Sequence, residues 1–261
     1  MIDGFRKNGW CRFDFDEALH EWVRQVLPAA RQTVAAAAEE DYRCAGTWLV
    51  GINALPNDPT GAVPGGQPLE GTASEFVRKE LGLGSFGWDR GQVSVVYPGY
   101  PRQGATESDA VFRFRCERDA AHIDGILHEG PRRRRFLRTY HGFILGVPLV
   151  DVGPGMSPLA LWEGSHEVIR QGFRRRFGDL SSDAWPAEDV TEAYQQIRKQ
   201  VFETCRRVEI PAVPGEAYLL HRLTLHGISP WAAQDAGPPD GRMVAYFRPD
   251  NGTPESWLNA D

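Results

Sequence analysis

Cysteine is scarce in this chain of 261 residues: Cys11, Cys44, Cys116 and Cys205 are widely scattered, with no CxxC pair. That argues against a disulfide framework or a thiolate zinc site, and for isolated reduced thiols. Long apolar runs are missing too. The longest, around "FILGVPLV", falls far short of a membrane span. The opening residues "MIDGFRKNGWCRFDFDEALHEW" contain no apolar stretch of the signal-peptide kind, so a cytoplasmic protein with no membrane partner is expected. No large excess of one charge exists, the formal net charge being −6 with 25% charged residues, which speaks against nucleic acid as a partner. Internal repeats and low-complexity tracts are absent. One domain over residues 1–261 is expected, with its oligomeric state open.

Glycine and proline, by contrast, are plentiful, at 28 and 19, and they punctuate the chain. Residues 14–48 show a helical pattern, with Phe15, Leu19, Trp22, Val23 and Val26 at three- and four-residue spacings and Asp14 as the cap. Pro28 should break or kink it, the alanine-rich run beyond forming a second helix. "NALPNDPTGAVPGGQPLEG" reads as a long irregular loop. "TASEFVRKELG" follows as a short helix with a Thr72-x-x-Glu75 capping box, ending at Gly82.

From Gln92 onward the pattern changes. "QVSVVYPGYP", "AVFRFRC", "YHGFILGVPLV", "SPLALWEG", "RRVEIPAV", "EAYLLHRLTL" and "RMVAYFRP" are short β-branched or aromatic runs between turns. A helical insertion over about 187–205 interrupts them. Helices followed by about eight strands predict a β-sandwich or jelly roll, with 1–90 as helical brace and loop and 91–250 as the β core.

The stretch "AAHIDG" carries the chemistry. On a strand, His122 and Asp124 point to one face and can converge on a divalent metal as a mixed nitrogen–oxygen pair. A distant histidine would complete a two-histidine, one-carboxylate triad with open coordination positions. His221 and His226 compete for that place and face opposite ways on one regular strand. His226 shares its face with Tyr218, Leu220, Arg222 and Thr224; His221 shares the apolar face of Leu219, Leu223 and Leu225. His226 is therefore the expected ligand, with Thr224 and Arg222 as candidates to touch a cosubstrate or substrate. On the strand after it, Arg242, Val244, Tyr246 and Arg248 share a face, and an inward arginine needs an anion. Tyr97, Tyr100, Tyr140 and Trp162 are candidates to line the cavity, though they are equally good core material. His128 and His141 read as surface or hydrogen-bonded core residues, and His166 as a structural one. The arginine-rich runs at 132–138 and 174–176 fit either a solvated face or recognition of an acidic group, the solvated face being the first expectation.

The ordered set "AAHIDG", "LWEGSHEVI", "PGEAYLLHRLTLHG" and "RMVAYFRP" resembles the phytanoyl-CoA dioxygenase superfamily of Fe(II)/2-oxoglutarate-dependent oxygenases over about residues 90–250. The turns "EGSH" and "PGEA" depart mildly from that family's Pro-Gly-Ser-His and Pro-Gly-Asp. The spacing from His226 to Arg242 is long for it, with "WAAQDAGPPD" as a loop insertion. The resemblance implies a double-stranded β-helix (jelly roll, cupin-like) braced by helices. It implies iron on His122, Asp124 and His226, and 2-oxoglutarate on the iron with its far carboxylate on Arg242. It further implies dioxygen as oxidant, with hydroxylation of a small molecule and release of succinate and carbon dioxide. The carboxylate of Asp124 favours hydroxylation over halogenation, since related halogenases carry a small residue there. A non-catalytic jelly-roll binding protein and a non-redox cupin-type metalloenzyme are the competing expectations. Enzymes of this kind act on many metabolite classes, so the residues indicate a reaction and not a substrate.

Overall fold

The computed structural model describes residues 1–81, 86–234, 237–250 and 252–260. In chain order its elements are α1 (Ile2–Asn8), β1 (Trp10–Phe13), α2 (Glu17–Ala35), β2 (Tyr42–Arg43), β3 (Trp48–Leu49), α3 (Thr72–Glu80), β4 (Gln92–Val96) and α4 (Asp109–Arg118). There follow β5 (Ile126–Glu129), β6 (Arg134–Leu137), β7 (Phe143–Pro148), β8 (Leu159–Trp162), α5 (Ser165–Phe177) and α6 (Thr191–Thr204). The chain closes with β9 (Arg207–Ile210), β10 (Ala217–His221), β11 (His226–Ile228), β12 (Arg242–Phe247) and α7 (Pro254–Asn259).

The strands form a seven-stranded antiparallel sheet, β1-β10-β7-β12-β4-β3-β2, a three-stranded sheet, β11-β8-β9, and the hairpin β5-β6. Alternation along each strand sorts its side chains between two cores. Leu145, Val147, Leu219, Met243, Ala245 and Phe247 face outward and pack on Trp22, Val23 and Val26 of α2 and on Phe76 and Val77 of α3. Ile144, Tyr218, Leu220, Val244 and Tyr246 face inward and meet Leu159, Leu161 and Ile210 of the smaller sheet. Because both faces are covered, β7, β10 and β12 are buried at every position and read as continuous apolar runs. A third core, with Trp162, Phe173, Tyr194, Leu223, Leu225 and Trp257, is covered by α5, α6 and α7. This is the expected double-stranded β-helix with a helical brace.

Several local expectations are corrected. Helix α2 begins at Glu17 under Asp16, not Asp14, with the Asp16 carboxylate accepting from the N–H groups of Ala18 (2.9 Å) and Leu19 (3.2 Å). Phe15 precedes the helix and is 55% exposed. Pro28 lies on the exposed side and does not end α2, because water can take the carbonyl that proline leaves without a donor while the opposite face stays packed on the sheet. No second helix follows; a short 3-10 turn and β2 do. Thr72 is the first helical residue of α3 and not its cap: its hydroxyl donates to Asp16 (2.6 Å). The expected stop at Gly82 lies outside the described residues, as does part of the "WAAQDAGPPD" loop.

"AVFRFRC" is helix α4 and not a strand, started by Ser108 accepting from the Val111 N–H (3.4 Å). Its Phe114 packs edge-on to Phe202 of α6. The helical insertion is larger than expected, since α5 already starts inside "EGSHEVI". Finally, "EAYLLHRLTLHG" is two strands in two sheets and not one. Side-chain parity therefore does not carry across it.

Candidate metal centre

His122 and Asp124 do not sit in a named strand. The segment crosses from α4 through two residues of positive φ, Asp119 and Ala120, and reaches β11 as an isolated bridge. His122 and His226 exchange main-chain hydrogen bonds: each N–H donates to the other's carbonyl, at 2.8 and 3.0 Å. Gly227 makes this approach possible. A Cβ there would lie 2.0 Å from the Asp119 carbonyl oxygen, so any side chain would push the segment off β11. The buried Asp119 carboxylate meanwhile accepts a two-pronged pair from Arg207 of β9 (2.7 and 2.8 Å).

One potential ligand atom from each of His122, Asp124 and His226 lies within 4.8 Å of the others. The imidazole Nδ1 of His122 faces the Ala120 carbonyl (3.1 Å) and that of His226 the Thr224 carbonyl (2.9 Å). A carbonyl only accepts, so both Nδ1 atoms carry the proton and both Nε2 lone pairs are free for a metal. Burial holds the His226 imidazole down to about 4, partly opposed by Asp124, so it is neutral at physiological pH. Burial alone would raise the Asp124 carboxyl, but the Arg248 guanidinium and the two imidazoles hold it well below the usual carboxylate range. Neutral imidazoles and an ionised carboxylate are the forms that bind divalent iron.

Arg248, just past β12, was noted in the sequence only as sharing a face with Arg242. Its Nε donates to Asp124 Oδ2 at 2.5 Å, leaving Oδ1 beside His122 Nε2 (3.3 Å). The guanidinium also lies over the Tyr246 ring, 5.3 Å from its centre. The Tyr246 hydroxyl, at the other end of that ring, accepts from Tyr218 (2.9 Å) and from Arg242 Nη2 (3.2 Å). Tyr246 thus bridges the triad's arginine to Arg242. Arg242 is 4% exposed, its Nη1 is buried without a partner, and no carboxylate among the described residues pairs with it. Burial opposes its charge, yet the two phenol oxygens keep it cationic. A buried cation with a free donor is a cradle for an anion. Tyr218 fits only because β7 has Gly146 opposite, where a Cβ would lie 2.1 Å from its ring.

The remaining candidates are placed elsewhere. The Arg222 guanidinium donates to the carbonyls of Trp257 (2.5 Å), Gly142 (3.2 Å), Ser256 (3.1 Å) and Ala260, tying α7 to the core. The Thr224 hydroxyl donates to the Gly9 carbonyl (2.6 Å). Both share the parity of His226, but the chain turns between β10 and β11 and sends them toward the termini. His221 is buried beside Arg170 (2.9 Å). Trp162 packs on Phe202, Tyr97 on Tyr42 and Tyr100 on Trp48, while Tyr140 sits at the edge of the α5–α6 core. His166 holds the Arg6 carbonyl (2.9 Å) and His141 that of Arg248 (3.0 Å). All four cysteines are unbonded. No helix of the described residues is long and apolar enough to cross a membrane.

No family model matches the sequence, and neither does any curated protein. Among solved structures, the chain is similar to EvdMO1 at a TM-score of 0.50 and 14% identity, covering 95% of this chain and 49% of that one. Lower-scoring matches include SnoK, a non-heme alpha ketoglutarate dependent carbocyclase from nogalamycin biosynthesis (TM-score 0.48, 13% identity, 95% and 82% covered). EctD from S. alaskensis also matches (TM-score 0.47, 17% identity, 95% and 75% covered). At 14% identity the likeness to EvdMO1 is one of fold alone.

Proposed function

We propose that the chain is an Fe(II)- and 2-oxoglutarate-dependent oxygenase acting on a small molecule, with hydroxylation of an unactivated C–H bond as its reaction. The observation that carries this reading is the pairing of two features in one fold. One is a His122–Asp124–His226 cluster with both Nδ1 atoms held by main-chain carbonyls; the other is the buried Arg242, without a carboxylate partner among the described residues, reached from it through Tyr246.

His122, Asp124 and His226 would hold the iron. Iron with the keto acid and dioxygen supplies the oxidising chemistry that protein side chains lack. Arg242, with the Tyr218 and Tyr246 hydroxyls, would take the far carboxylate of 2-oxoglutarate in a dry pocket, where a charge-assisted bond is strongest. Arg248 holds one oxygen of Asp124, which would leave the other to face a metal. The inward apolar residues Ile144, Leu161, Leu220 and Val244 exclude water.

The test is anaerobic addition of Fe(II) and 2-oxoglutarate, watching for the weak visible charge-transfer absorption of the chelate. It should form in the native protein and fail in Asp124→Ala. A screen of metabolite pools should then find compound-dependent succinate release, with a product heavier by one oxygen. Absence of the absorption, with the protein folded, would move the chain to a non-redox binding role.

A further inference from the structure

The arginine run at 132–138 was open between a solvated face and recognition of an acid, and the structure divides it. Arg134 is neutralised by Asp189 and Glu192, the latter at 2.6 Å, and Arg138 by Glu129 (2.9 Å). Arg133 and Arg135 have no carboxylate among the described residues. Arg135 and His128 are cross-strand partners on β6 and β5 and share a side of the hairpin. There the Arg135 guanidinium lies 5.1 Å from the centre of the Tyr194 ring of α6, and Arg198 also lies over that ring, at 4.9 Å. Arg198 has one hydrogen bond, to the Ala121 carbonyl (3.2 Å), and its Nε is buried without a partner. Arg133 reaches only His128, at 3.5 Å.

We propose that this face is an oxyanion-binding subsite, in which Arg133, Arg135 and Arg198 around Tyr194 and His128 take a phosphate or carboxylate group carried by the substrate. That the anion belongs to a substrate rests on the oxygenase reading; that the face binds an anion does not.

Three guanidinium groups gathered without a counter-charge repel one another, and fixed donors of this kind recognise oxyanions through paired N–H groups. His128 registers the same field, since burial and then Arg135, Arg133 and Arg198 hold its imidazole down to about 4. Arg198 also lines the groove along α6, where the acid Glu203 already faces Lys199 (3.9 Å). The cluster is also wired to the metal centre. The Tyr194 hydroxyl accepts from the Ile123 N–H (2.9 Å), between the two ligands of the His-x-Asp segment, while Arg198 holds Ala121 just before them.

The test uses the metal-free protein at pH 7 and constant ionic strength, following the His128 ring resonances by NMR, assigned through His128→Gln. Inorganic phosphate and acetate are titrated in separate arms. A saturable shift with millimolar Kd is expected in at least one arm, phosphate alone indicating a phosphate ester and acetate a carboxylate. Arg135→Gln should weaken binding at least fivefold. The exposed Arg133→Gln should weaken it too, in case the first variant folds poorly, and the remote Arg24→Gln should not. A non-saturable shift in both arms, or equal affinity in both cluster variants, would overturn the subsite. Neither iron nor keto acid is present, so this result and the charge-transfer result fail independently.

Discussion

His122 and His226 face each other across a pair of reciprocal main-chain hydrogen bonds, with their imidazole rings 4.8 Å apart. The candidate metal centre is thus built on backbone pairing, and its side chains meet because two segments remote in sequence are locked in register. Tilted rings with both Nδ1 atoms fixed leave little freedom for either Nε2.

The two candidate histidines separate cleanly by experiment. His226→Ala and Asp124→Ala should abolish binding of Co(II), used as a visible probe for the iron site. His221→Ala should keep it, with a loss of stability, since His221 packs against Arg170 and lies outside the cluster. Co(II) spectra of the three folded variants check this; a binding-competent His226→Ala protein would remove His226 from the ligand set.

Arg242→Gln should weaken 2-oxoglutarate while leaving the metal in place. A hydrogen bond to a charged group contributes about 1.5–3 kcal/mol, so Kd should rise roughly 10- to 150-fold. Gly146→Ala should act in the same direction by displacing Tyr218. Calorimetric titration of the metal-loaded protein reads both.

Gly227→Ala tests whether close main-chain approach builds the site. The added methyl meets the Asp119 carbonyl, a main-chain atom that cannot swing aside, and overpacking of this kind costs about 1–3 kcal/mol or more. The variant should melt lower and bind Co(II) weakly. Gly104→Ala, whose Cβ would lie 3.8 Å from its nearest neighbour, should do neither.

Tyr194→Phe removes the acceptor of the Ile123 N–H in a buried setting. An orphaned buried donor costs about 1–3 kcal/mol, which denaturant unfolding would register. Weaker Co(II) binding should accompany it, because the segment between the two ligands loses its outer anchor.

Stability should fall on acidification before any carboxylate matters. The buried imidazole of His226 is held down to about 4 in the folded protein, against an ordinary value near 6.5, and burial lowers His166 and His221 as well. Between pH 6.5 and about 4 the unfolded chain therefore binds more protons than the folded one, so stability declines as pH drops through that window. Melting temperature of the metal-free protein across pH 7 to 4.5 measures it; a flat profile would contradict neutral buried histidines.

Periodicity and residue chemistry made much of this legible in advance. The strand runs from Gln92 onward and the inward set of Arg242, Val244 and Tyr246 follow from rules that act over a few residues, and such rules survive folding; His122 and Asp124 come together although their segment is not a regular strand. Helix α4 escaped, because "AVFRFRC" alternates like a strand and only Ser108 and the packing of Phe114 on Phe202 make it helical. Parity counted along "EAYLLHRLTLHG" does not select His226, because that segment is two strands; the structure brings His226 to His122. Arg222 and Thr224 show the cost of that counting, since the turn after β10 carries them to the carbonyls of the chain ends.

Residue types alone determined which chemistry could be hosted: imidazoles, a carboxylate and an inward arginine. Tertiary structure decided which arginine meets which charge: Arg248 meets Asp124, Arg134 meets Glu192, and Arg242 and Arg135 meet no carboxylate among the described residues. Side-chain partners are chosen by distances across elements far apart in the chain, and local spacing does not encode those distances.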